Sequence, residues 1–175
     1  MTTLTEQQAE QQLRYLQESG FQSKMSAAAQ SNGISPVFVY AIASRETNCC
    51  NILGDWQQGE AHGVGIMQID IQQPLAKTMR DNGTWKTSPG LLINFGVSML
   101  ADNLAHARRL FPALSGTDQL RLAADGYNEG QGTADHLEAI GKDPDWGTTG
   151  RDYGNDVIAR MALFSGIIAK TVTEG

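Results

Sequence analysis

The stretch Ser35-Pro36-Val37-Phe38-Val39-Tyr40-Ala41-Ile42-Ala43 constrains this chain more than any other. Ser35 suits a helix N-cap and Pro36 its first position, and the residues that follow are apolar at every step, not only at every third or fourth. A helix that is apolar on all sides has no face to offer water and must lie inside a core. It is expected to end near Arg45-Glu46. That puts a carboxylate where the C-terminal dipole and the apolar surroundings both disfavour its charge. Both effects favour the protonated form, as a general acid requires; a surface Glu paired with Arg45 is the plainer alternative.

The rest of the chain has the means to build that core. It has 175 residues, 41% hydrophobic and 18% charged, which suits an ordinary globular domain and excludes disordered and collagen-like classes. Lys and Arg number 13 against 19 Asp and Glu, a net charge of −6, and no dense basic cluster occurs. Nucleic acid is therefore not expected as a partner, since counterion release needs several positioned cations. No apolar run is long enough for membrane insertion. The start, Met-Thr-Thr-Leu-Thr-Glu-Gln-Gln, has neither a basic n-region nor an apolar h-region, so synthesis in the cytoplasm without a signal peptide is expected. Cys49 and Cys50 are adjacent, which is neither a stapling framework nor a ligand spacing, and they are expected to be free thiols.

Helical patterning recurs on both sides of the apolar helix. Thr5 to Ser31 carries a loose stripe interrupted at Gly20, and Ser31-Asn32-Gly33 supplies a stop. From Asn48 to about Asn82 glycines punctuate short apolar pieces, which reads as loops and a small hairpin with no further helix. Within it, Gly63 to Asp70 alternates apolar residues as a strand does. Helices are expected from Leu91 to Leu110, from a Thr117-Asp118 cap to about Ala124, from Thr133 to Ile140 and from Asp152 to Ala169. Asp125 to Gly132 is expected to be a loop. Without a repeat or linker, residues 1–175 read as a single mainly α domain. Residues 1–34 form a helical extension packed on a core of residues 35–172.

Several residues stand out chemically. Asp70 closes the expected strand, where a carboxylate can order a water or merely cap a turn. Gly126-Tyr127-Asn128-Glu129-Gly130 sets an aromatic and an amide on a glycine-rich turn, able to stack on a sugar and hydrogen-bond an acetamido group; a plain interhelical turn is the alternative. His62, His106 and His136 lack ligand spacing. Asp55, Glu60 and Asp70 are oxygen donors without a calcium loop, so no metal and no cofactor are expected.

Five blocks in order carry a family resemblance: Ala43-Ser44-Arg45-Glu46, Gly63-Val64-Gly65-Ile66-Met67-Gln68-Ile69-Asp70, Leu92-Ile93-Asn94-Phe95, Tyr127-Asn128-Glu129-Gly130 and Gly147 through Arg160. Together they resemble goose-type lysozyme, a group within the lytic-transglycosylase-like superfamily. The resemblance implies a mainly α, lysozyme-like α+β fold with a small β-hairpin and loop region lining a glycan cleft. It implies hydrolysis of the β-1,4 bond between N-acetylmuramic acid and N-acetylglucosamine. Glu46 matches the family's catalytic acid and Asp70 an aspartate that helps to place the attacking water. Gln68, with Met67 beside it, Tyr127, Asn128 and Tyr153 match substrate-binding positions. The family's further loop aspartate falls on Gly59 here, with Asp55 and Glu60 as nearby substitutes.

The expected reaction is inverting, which asks for carboxyl groups about 6.5 to 9.5 Å apart. Lytic transglycosylases, which form 1,6-anhydro ends, share the Gly-x-Met-Gln type of segment, but Thr47 in place of their Ser and the Asp70 match lean toward hydrolysis. A non-catalytic glycan-binding protein is a third reading, favoured by the missing loop aspartate. The expected partner is the peptidoglycan glycan strand, met by a monomer in the periplasm of a target cell. The chain would arrive there by a non-Sec route as a type VI secretion effector toxin, for which a cognate immunity protein occluding the cleft is expected, or be released as an endolysin.

Overall fold

The computed structural model describes residues 3–173. Eight α-helices are described: α1 (Glu6–Glu18), α2 (Phe21–Ser31), α3 (Pro36–Thr47), α4 (Pro74–Asp81), α5 (Pro89–Leu110), α6 (Gly116–Asp125), α7 (Gln131–Ala139) and α8 (Tyr153–Thr173). Three short strands, β1 (Leu53–Gln57), β2 (Glu60–Val64) and β3 (Ile69–Asp70), form one antiparallel meander. The fold is mainly α with a small sheet, as expected. By packing, the chain divides into two compact units: Gln12–Ser98, and the residues up to Gln11 together with those from Met99 onward.

In the first unit α3 is the hub. Phe38 through Ala43 are all buried, as a helix with no polar face requires. Ser35 sits at the N-cap in extended conformation but its hydroxyl caps nothing, so Pro36 at the first position is what sets the helix start. Gly20, at φ 73, separates α1 from α2, which packs beside α3 through Phe21, Met25, Ala28 and Ala29.

The β1–β2 hairpin closes through Gln58 and Gly59, both left-handed at φ 51 and 87, between the paired Gln57 and Glu60. A two-residue loop with positive φ at both central positions is the turn that matches strand twist. Two expectations are corrected here. Gly63–Asp70 is not one strand: Gly65 at φ 82 and Gln68 at φ 49 break it into the end of β2, a turn and β3. The region also holds a helix, α4, started by Pro74 and carrying Ala76 and Met79 inward. The upstream glycines masked that pattern.

In the second unit α6, α7 and α8 pack around Leu122, Ala134, Val157 and Phe164. Ser115, not Thr117, caps α6, its Oγ accepting the Asp118 N–H at 3.1 Å. The expected loop at 125–132 is instead a π-helical turn, Gly126–Gly130, that runs directly from α6 into α7.

Candidate active site

Glu46 lies in the last turn of α3, half-buried, one residue before the helix ends. The helix stops because Asn48 and Cys49 both take left-handed backbone, φ 52 and 65, folding their N–H groups back onto the carbonyls of Ser44 (3.0 Å) and Ala43 (3.1 Å). Asn tolerates that conformation and Cys does not favour it, so the surroundings must hold it there. Gln12 on α1 supplies part of the hold. Its amide oxygen accepts the Ser44 hydroxyl at 2.5 Å, and its nitrogen donates to Asn48 Oδ1 at 3.4 Å. Cys49 and Cys50 are both free thiols.

Thr47 joins this helix end to the sheet. Its hydroxyl lies 3.0 Å from the Ala43 carbonyl and 2.9 Å from that of Ile66, which belongs to the turn between β2 and β3. Gln68 fixes the other side of that turn. Its Nε2 donates to the carbonyls of Gly65 (2.7 Å) and Ile52 (3.2 Å), and a Cβ on either Gly54 or Gly63 would collide with its side-chain amide. The two glycines thus face each other in the β1–β2 register because Gln68 lies across them. Met67 is buried within the same turn.

The candidate acids of the sheet are all exposed. Asp70 pairs in register with Gly63, and its Oδ1 accepts the Gln72 N–H at 2.6 Å. Asp55, at φ 47, accepts from the Gln57 amide at 3.1 Å. Glu60 sits at the hairpin end with its carboxylate 3.8 Å from Arg80, whose guanidinium also donates to the Ala61 carbonyl at 2.9 Å. Gly59 is the tip of the hairpin. Glu46, Met67, Gln68 and Asp70 therefore sit on segments tied together by hydrogen bonds.

Tyr127, Asn128 and Tyr153 lie in the other unit. Asn128 Oδ1 accepts the Thr149 N–H at 2.9 Å, linking the π-turn to the segment that leads into α8. Tyr153, the first residue of α8, is buried at 2% exposure, whereas Tyr127 is half-buried.

Sequence reasoning missed a group of carboxyls beneath these residues. Asp145 accepts the Gly154 N–H (2.7 Å), the Asn155 N–H (3.2 Å) and the Asn155 amide (2.5 Å), satisfying the start of α8. Asp125 is fully buried, and neither of its carboxylate oxygens accepts a hydrogen bond. Burial first, then the nearby Asp145, push it up to about 8, against a weaker pull from Arg121. Glu129, with both oxygens buried and unpaired, is pushed up to about 7 by burial and then by Asp145. The only signal in the sequence is indirect: Gly147 and Gly154 are the positions where a Cβ would strike the Glu129 and Asp125 carboxyls.

A mainly helical domain with a three-stranded meander beside a glutamate-bearing buried helix defines the lysozyme-like class. The lysozyme g family model matches residues 3–166, and the chain belongs to that family of glycoside hydrolases. Among curated proteins it is similar to lysozyme g of Epinephelus coioides, 30% identical over 150 residues covering 82% of this chain and 74% of that one. Lysozyme g of Gallus gallus is 31% identical over 131 residues, 75% of this chain and 57% of the relative. Human lysozyme g-like protein 2 is 26% identical over 156 residues, 89% of this chain and 65% of the relative.

Proposed function

We propose that the protein is a peptidoglycan muramidase in which Glu46 protonates the glycosidic oxygen between N-acetylmuramic acid and N-acetylglucosamine. The observation that carries this reading is the placement of Glu46 at the end of a helix buried on every side. Its neighbour Thr47 is hydrogen-bonded to the Gly65–Gln68 turn that precedes Asp70. Such an arrangement supplies a proton donor on a rigid element, next to a carboxylate-bearing strand. As the oxocarbenium-like transition state develops, water oriented by Asp70 attacks the opposite face and the anomeric configuration inverts. Asp70 suits that role because it is exposed and its side chain is held by the Gln72 N–H. Tyr127, Asn128 and Gln68 contact the glycan in this reading, and peptidoglycan is the substrate partner.

Mass spectrometry of muropeptides released from purified peptidoglycan by the wild type and by Glu46→Gln tests it. Reducing muramyl ends that vanish in the variant are expected. One observation favours a second reading: Gly59 puts no carboxylate at the hairpin tip. With fewer acids to manage water, internal attack by the muramyl 6-hydroxyl would leave 1,6-anhydro ends, lighter by one water. No product from wild-type protein that still binds sacculi would mark a glycan-binding protein.

The substrate is met in the periplasm of a target cell, reached as an effector or endolysin. For an effector, a cognate immunity protein would cover Glu46 in the producing cell. Expression directed to the periplasm is expected to lyse the host while cytoplasmic expression is tolerated; equal harmlessness overturns this.

A further inference from the structure

The π-helical turn Gly126–Gly130 carries Tyr127, Asn128 and Glu129 in succession, all three half-buried. A π-turn inserts an extra residue into a helix and is seldom kept without a use. Here it is held from below by a contact of unusual kind. The Glu129 carboxyl is packed against Gly147 so closely that a Cβ there would overlap it, and neither oxygen has a hydrogen-bond partner. Beside it, the Asn128–Thr149 hydrogen bond ties the same turn to the same segment. One latch point is a polar bond, and the other is a carboxyl whose oxygens are closed off from solvent. Such a site favours the uncharged carboxyl over the charged one.

We propose that Glu129 is a positioning residue: uncharged, it latches the turn bearing Tyr127 and Asn128 onto the Pro144–Arg151 segment, and on ionising it releases that turn. The proposal rests on the muramidase reading only in assigning Tyr127 and Asn128 to the glycan. The neighbouring charges are otherwise engaged. Arg121 on α6 reaches Asp143 at 3.2 Å, Asp135 on α7 meets His106 at 2.6 Å, and Arg160 on α8 meets Asp156 at 2.6 Å. Arg151 lies over the Trp146 ring, 4.7 Å from its centroid. His136 and Glu138 complete the titratable groups of α7. Asp145 is the anionic neighbour that raises both Asp125 and Glu129, and Arg121 pulls weakly against it at Asp125. Burial and Asp145 push Glu129 up to about 7, so the latch loosens as the pH rises toward neutrality.

The experiment is amide hydrogen exchange of residues 126–132, corrected for intrinsic pH dependence, from about pH 5 to about pH 8, on wild type, Glu129→Gln and Asp125→Asn. In the wild type the opening should rise by up to about tenfold per pH unit as Glu129 loses its proton on release, then level off above its titration point. Glu129→Gln should remove that rise and Asp125→Asn should keep it. In parallel, the ratio of wild-type to Glu129→Gln KM for peptidoglycan should climb several-fold over the same range while the ratio of their kcat values stays flat. A wild-type opening that ignores pH, or a rise abolished only by Asp125→Asn, overturns the proposal. If Glu129→Gln does not fold, Glu129→Met gives the same uncharged comparison. Exchange that behaves as expected without any product from peptidoglycan upholds the latch and overturns the muramidase reading instead.

Discussion

Gln68 reaches across Gly54 and Gly63 to bond the Gly65 and Ile52 carbonyls, so its amide does the work that a pair of cross-strand side chains does elsewhere in sheets. A methyl group on Gly63 would push the Gln68 amide off its two carbonyl partners, and Gly63→Ala is expected to destabilise by about 1–3 kcal/mol, read from urea unfolding. Thr47→Val removes the donor to Ile66 and leaves a buried carbonyl unpaired, at a cost of about 1–3 kcal/mol. Its kcat on peptidoglycan should fall more than its KM changes, because the substitution loosens the neighbour of Glu46 without touching the sugar sites. The resemblance in sequence implied a substrate contact at Gln68, but its role as a brace was invisible there. The two glycines it covers are ordinary turn residues until the strands are paired.

At the level of elements, legibility followed how local the physics is. The boundaries of α3 and α5 came from prolines, caps and apolar runs that sit within a few residues of one another. The hairpin was readable as a possibility from the Gly-dense stretch, but its turn type needed the φ values of Gln58 and Gly59. The helix α4 was lost because the glycines before it set the wrong context, and the π-turn because nothing in Gly-Tyr-Asn-Glu-Gly distinguishes it from a loop. Gly59→Asp restores an acid at the hairpin tip, with strain of about 1 kcal/mol from the left-handed backbone. Its thermal midpoint is expected to fall slightly. If a second acid assists the water, its rate of release of reducing ends should rise above that of the wild type.

For the whole molecule, the buried carboxyls decide how stability follows pH. The titration points of Asp125 and Glu129, about 8 and about 7, both lie above their ordinary values of 3.8 and 4.5. Between those limits the folded chain holds more protons than the unfolded one, so stability is full at the acid end and is lost as the pH rises through 7 to 8. Thermal unfolding should therefore show a midpoint that falls from about pH 5 to about pH 8, and Asp125→Asn should flatten much of the slope. None of this was legible beforehand. Asp125, Glu129 and Asp145 each look like a solvated or capping acid, and only the return of the 144–154 segment onto α6 and the π-turn buries them. That return depends on contacts distant along the chain, which neither periodicity nor composition encodes.

The two-residue link at Gln58–Gly59 has a consequence for how this protein can vary. Strand side chains alternate between faces, so the spacing from Leu53 to Val64 must keep its parity for Gly54 and Gly63 to meet beneath Gln68. Substitutions at the exposed positions of the hairpin are absorbed one at a time, but a single inserted or deleted residue would turn every side chain beyond it to the opposite face. Chain length, as much as the two glycines, is what descent must preserve between Leu53 and Val64.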